Sequence, residues 1–190
     1  ADLVLSDVDF FAGGGTKYFT NRKDGRDLFK DLRAKQFNID TTQLGDFNSI
    51  KSYSKAAYLL NEYDMPKITE GRGDFLPKAT ELGIQFLNKN ESTIGKVFYA
   101  EKEKNDILVE TSLQFNKDYS NNIISFVNNI HTPEGGTHMT GFRTALTRTI
   151  NKYARDKGIL KEKDQNLTNE DVVEGIVCVL SVKVVDPQFE

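Results

Sequence analysis

The chain has 190 residues, 38% of them hydrophobic and 28% charged, with a net charge of −3, the balance of an ordinary globular protein of one large or two small domains. Cutting after Glu91 leaves 13 basic against 14 acidic residues before the cut and 12 against 14 after it, so neither half is a basic nucleic-acid module by bulk charge. No apolar run approaches the roughly 20 residues that cross a bilayer, and Ala1-Asp-Leu-Val-Leu-Ser-Asp lacks the basic-then-apolar pattern of a signal peptide; the lone Cys178 excludes an intrachain disulfide.

In chain order, Val8-Asp-Phe-Phe-Ala12 reads as a strand that ends in Gly13-Gly-Gly15, where the backbone is free to turn. Arg26 to Lys35 places Leu28, Phe29 and Leu32 on one side of a helix. Gln36 to Asp40 and Lys55 to Leu60 are further strands, and this alternation predicts α/β units around a parallel sheet. Beyond Met65-Pro66, residues 76 to 87 put Leu76, Ala79, Leu82, Gly83, Phe86 and Leu87 at helical spacing. Arg72-Gly-Asp74 matches an adhesion tripeptide, a length at which chance matches abound.

The pattern changes between residues 88 and 96. Lys96 to Ala100 and Ile107 to Phe115 flank a polar Lys104-Asn-Asp106 turn, a hairpin signal. A strand at Ile123 to Val127 leads through a loop over residues 128–136 into a helix from His138 to Lys157, with Met139, Phe142, Leu146, Ile150 and Tyr153 as its apolar stripe and Thr137 as a cap. Thr168-Asn-Glu-Asp171 has capping-box spacing with Asp at the third helical position, and Ile176 to Val184 is a buried strand that makes Cys178 a core thiol. The second half is therefore expected to be antiparallel α+β. Two domains follow, 1–91 and 92–190.

Asp9 to Leu28, followed by Leu76-Pro-Lys-Ala-Thr-Glu-Leu-Gly-Ile-Gln-Phe-Leu-Asn-Lys-Asn90, resembles an interior segment of bacterial alkaline phosphatase. The resemblance implies a partial α/β segment lacking the family's catalytic serine and its zinc and magnesium ligands. Residues 1–91 contain no His, and Gly13-Gly-Gly15 carries neither a Walker lysine nor a dinucleotide fingerprint, so a plain strand-to-loop turn is expected there.

Val109 to Asn116, Phe126-Val-Asn-Asn-Ile130, Glu134 to Thr149 and Ser181 to Glu190 resemble the transducer of the DNA gyrase B and topoisomerase IV family, in the family's order. This implies a sheet with helices on one face that passes the state of an ATPase domain to the DNA-cleaving parts. It also implies that the ATP and Mg site lies mostly outside these residues and that the γ-phosphate lysine loop would follow Glu190. Implied partners are DNA, held weakly, the ATPase domain, the A subunit and a second copy of the chain; no membrane is implied. A cytoplasmic setting follows from this family, and a periplasmic or secreted one from the phosphatase. No cofactor site is expected in the chain.

Arg143 matches the family arginine that faces the DNA cavity. Independently of any family, Arg148, Lys152 and Arg155 recur at i, i+4 and i+7 as one basic stripe, with Arg143 ~140° round the helix from Arg148. These four are the candidate DNA-binding residues. His131 and His138 flank the glycine turn, but with one Glu between them and no Cys nearby they make a poor metal pair. The expected function is a non-catalytic chimera of transducer and phosphatase segments, with a phosphomonoester hydrolase segment lacking its metal site as the alternative.

Overall fold

A computed structural model describes residues 6–66 and 73–188. Arg72 of the adhesion-like tripeptide lies outside the described residues. The fold is mixed α and β, in two compact units, Ala1–Asn90 and Glu91–Glu190.

In the first unit three short strands, β1 (Phe10–Gly13), β2 (Phe37–Asp40) and β3 (Lys55–Leu59), form a parallel sheet in the order β1-β3-β2. Because side chains alternate across a strand, β3 feeds two cores. Ala57 and Leu59 pack with Leu28, Phe29 and Leu32 of helix α2 (Leu28–Ala34), while Ala56 and Tyr58 pack with Leu82 and Phe86 of helix α4 (Phe75–Leu87). Helices α1 (Thr16–Thr20) and α3 (Phe47–Ile50) complete the unit.

Helix α2 starts two residues later than its hydrophobic pattern suggests, because the Asp27 side chain accepts the Phe29 N–H and caps it. Ala79, Leu82 and Phe86 are buried on one face of α4 and Ile84 is buried on the opposite side, whereas Leu87, expected on the first face, is 37% exposed. The Gly13–Gly15 turn is committed to the protein itself: the N–H groups of Gly15 and Thr16 both donate to Asn61 O, at 2.9 and 3.1 Å, and leave no amide cradle for a phosphate. A Cβ on Gly14 would lie 2.3 Å from Tyr63 O, so only glycine fits there.

The second unit is a five-stranded sheet in the order β4-β5-β8-β6-β7, from β4 (Thr93–Lys104), β5 (Ile107–Asn116), β6 (Asn122–Val127), β7 (Ile130–His131) and β8 (Ile176–Lys183). The hairpin β4–β5 turns on Asn105 and Asp106, both at positive φ, the geometry that matches strand twist. The same chemistry recurs at Asn128 and Asn129 and adds β7, where the sequence suggests only a loop.

The sheet is mixed and not purely antiparallel: β6 pairs parallel with β8, Ile123 against Cys178. Parallel neighbours need a long crossover, and here it contains helices α5 (Thr137–Asp156) and α6 (Asn169–Val173). Phe142 and Leu146 of α5 and Val173 of α6 pack on Leu113, Ile176 and Cys178. Cys178 is fully buried, and burial pushes its thiol up to about 11.

Candidate nucleic-acid interface

Helix α5 carries all four candidate cations and, from Thr137 to Arg155, no acidic residue; Asp156 alone offsets them at its C-terminus. The helix starts on Gly136 at φ 138°, with no side-chain cap; Thr137 is its first residue and not its cap. A non-glycine residue at that φ would be strained.

The inner face of α5 differs from its apolar stripe. Tyr153 is 58% exposed, with Lys157 over its ring, while Asn151 and Ala154 are buried. The face turns because residues 158–168 fold back as a strap along the helix. Three polar side chains one turn apart hold that strap and the first residue of α6. Thr147 donates to Asn169 Oδ1 at 2.6 Å, Asn151 exchanges two hydrogen bonds with Leu167, and Arg155 grips residues 161–166. The sequence carries no signal for these contacts, since each partner lies outside the helix.

Arg155 donates through Nε to Asn166 Oδ1 at 2.9 Å, through Nη1 to Lys161 O and through Nη2 to Asp164 O and Asn166 Oδ1. Four of its five N–H donors are thereby engaged. Lys152 is exposed and ion-paired with Asp156 one turn on. Arg143 is half-buried, and its Nε is enclosed without a hydrogen-bond partner among the described residues. Arg148 is exposed. The basic stripe Arg148, Lys152, Arg155 is thus divided into one outward cation, one paired cation and one that faces the strap.

Two grooves flank Arg148. One, about 470 Å³, is lined by Thr137, Thr140, Gly141, Thr144, Ala145 and Arg148. The other, about 530 Å³, runs between α5 and the strap past Thr147, Asn151, Asn166 and Asn169. Small side chains on this surface leave the helix backbone approachable to a wide polyanion.

The two histidines do not converge on a common ligand site. His138 Nε2 shares a hydrogen bond with Thr132 Oγ1 at 3.1 Å, and His131 packs against the Phe126 ring at 5.4 Å. Among the described residues no three His, Cys, Asp or Glu side chains are grouped to hold a metal ion. No helix among them is long and apolar enough to cross a membrane.

Comparison with known proteins places this unit. The family model for DNA gyrase B matches residues 83–190. The DNA gyrase B protein of Enterococcus faecalis is 52% identical over 108 residues, covering 56% of this chain and 17% of that protein. Its counterpart from Halalkalibacterium halodurans is 40% identical over 158 residues, covering 78% of this chain and 24% of that protein. Among solved structures, the 43K ATPase domain of Thermus thermophilus gyrase B, in complex with an aminocoumarin, is 34% identical with a TM-score of 0.55, over 59% of this chain and 31% of that one. Alkaline phosphatase from the Antarctic bacterium TAB5 is 53% identical with a TM-score of 0.45, over 47% of this chain and 26% of that one. Both resemblances expected from the sequence are found. The chain spans less than a third of the length of each of these proteins, and, with more than half of its residues in one continuous family match, it belongs to the DNA gyrase B family.

Proposed function

We propose that residues 91–190 serve as the transducer segment of a type II topoisomerase of the gyrase B kind, with α5 as the helix that faces DNA. The observation that carries this reading is the coincidence of the family match, which runs through the whole second unit, with a 20-residue helix whose four cations face one acid. In such a segment the sheet passes motion between neighbouring domains while α5 meets the phosphate backbone. Partners on this reading are duplex DNA, an ATPase domain, the A subunit and a second protomer, in a cytoplasmic setting. ATP and magnesium act on the ATPase domain and have no site assigned here; nor have zinc and magnesium of the phosphatase relatives.

The first unit is proposed as a non-catalytic segment of separate ancestry, making the chain a chimera that is inactive alone. The test is binding of the purified chain to a duplex of about 30 base pairs across a salt series, beside turnover of ATP and p-nitrophenyl phosphate. Binding that weakens steeply with salt, without turnover, is expected, since phosphate contacts release counterions. Absence of binding at low salt overturns the DNA-facing role, and turnover that co-purifies with the chain overturns the inactive reading. Long-read sequencing across the codons for residues 80–100 tests how the halves were joined: two separate genes at the native locus show an artificial join, and one continuous frame shows a natural fusion.

A further inference from the structure

The four cations of α5 are not equivalent: hydrogen bonds set Lys152 and Arg155 apart, and half-burial with an enclosed Nε sets Arg143 apart from the exposed Arg148. We infer that Arg148 is the phosphate contact of this helix and that Arg155 is a positioning residue, which holds the strap so that the groove beside Arg148 stays open; the inference rests on the DNA-facing role proposed above.

Arg148 is exposed, lines both grooves and, among the described residues, makes no hydrogen bond or ion pair. Its five N–H donors are therefore all available in a fork that matches a phosphate. Arg155 keeps only one N–H, on Nη1, because the strap carbonyls and Asn166 take the other four, and one donor makes no fork. Three hydroxyls near Arg148 cannot substitute for it. Thr144 donates to Thr140 O, Thr149 to Ala145 O and Thr147 to Asn169 Oδ1, so each has spent its only proton inside the protein. What they present outward is acceptor lone pairs, which do not bind a phosphate oxygen. Gly141 and Ala145 keep the adjoining groove shallow-walled, so a backbone phosphate can reach the guanidinium without displacing a side chain.

The probe is a duplex of about 30 base pairs, titrated against the full chain over a salt series, with wild type, Arg148→Gln, Arg148→Lys, Arg155→Gln and Thr144→Val compared. Arg148→Gln is expected to lower the slope of log affinity against log salt by about one, a loss of about tenfold near 0.05 M salt. Its melting temperature should match wild type, because no contact of the fold is lost. Arg148→Lys keeps the charge and restores the slope. Thr144→Val keeps the wild-type slope and affinity, whereas Arg155→Gln keeps the slope, because Arg148 still makes the contact, but binds more weakly and melts lower, because the strap no longer holds the groove. A wild-type chain that binds DNA while Arg148→Gln retains the full slope overturns this assignment and leaves the DNA-facing role standing. A reduced slope in Arg155→Gln with unchanged melting also overturns it. Failure of the wild type to bind at any salt overturns both.

Discussion

Asn151 and Leu167, sixteen residues apart, bind each other in both directions: Asn151 Nδ2 donates to Leu167 O at 3.0 Å and Leu167 N donates to Asn151 Oδ1 at 2.8 Å. The side-chain amide acts as a piece of strand backbone and fixes the strap to α5. It also donates to Thr147 O, and the residue is buried. Asn151→Ala leaves the Leu167 amide and carbonyl without these partners, at a cost of about 2–3 kcal/mol. Urea unfolding is the measurement, and a midpoint equal to wild type would mean that water replaces the amide.

Arg155→Lys keeps the charge and loses the fork. One ammonium cannot meet Asn166, Lys161 and Asp164 together, so the strap opens locally while the sheet stays intact. Limited trypsin digestion should cut faster after Lys161 and Lys163 than in wild type, with unchanged fragments from the sheet.

The capping box at α6 gives a pH-dependent contribution. The Thr168 N–H and then its hydroxyl donate to the Asp171 carboxylate and hold it below the ordinary carboxylate range. With a folded pKa lower than the unfolded one, this contribution is present above the unfolded value and is lost as pH falls through the folded one. The stability gap between wild type and Asp171→Asn should therefore be open at neutral pH and close in acid. Thr168→Ala should cost about 1 kcal/mol at pH 7, read by thermal melting.

Cys178 works in the opposite sense. Burial raises its thiol from 9.0 to about 11, so its contribution is complete below about pH 9 and is lost as pH rises towards 11, where the unfolded chain ionises first. Iodoacetamide at pH 8.5 should label Cys178 only at the rate of unfolding. Labelling in native buffer as fast as in urea would place the thiol outside the core.

Gly175 sits at φ 69° with Asn116 O 2.5 Å and Asp118 O 2.8 Å from where a Cβ would be. Gly175→Ala should cost about 2–3 kcal/mol, through both the backbone conformation and the displaced carbonyls. Circular dichroism melts of the two proteins decide it; coincident curves would show that the β5–β6 loop yields freely.

Much of the architecture is written locally. Leu28, Phe29 and Leu32 share a helix face by spacing alone, Asn105-Asp106 turns a hairpin because both residues tolerate positive φ, and Thr168 to Asp171 caps its helix within four residues. The two family resemblances and the four cations of α5 are legible for the same reason, since they depend on residue identity in order. What stays hidden depends on remote partners. The parallel β6–β8 pairing follows from a crossover whose ends are about fifty residues apart, and the exposure of Tyr153 follows from a strap that covers the other side of α5.

The sequence by itself determined that α5 is a basic amphipathic helix and that its residues belong in a gyrase B segment. Only the tertiary structure decided that Arg148 is exposed with its donors free, while Arg143 is half-buried, Lys152 is ion-paired and the strap takes four donors of Arg155. A side chain's charge is a property of its type, but its free hydrogen-bonding capacity is whatever the packed neighbours leave, and those neighbours come from the strap.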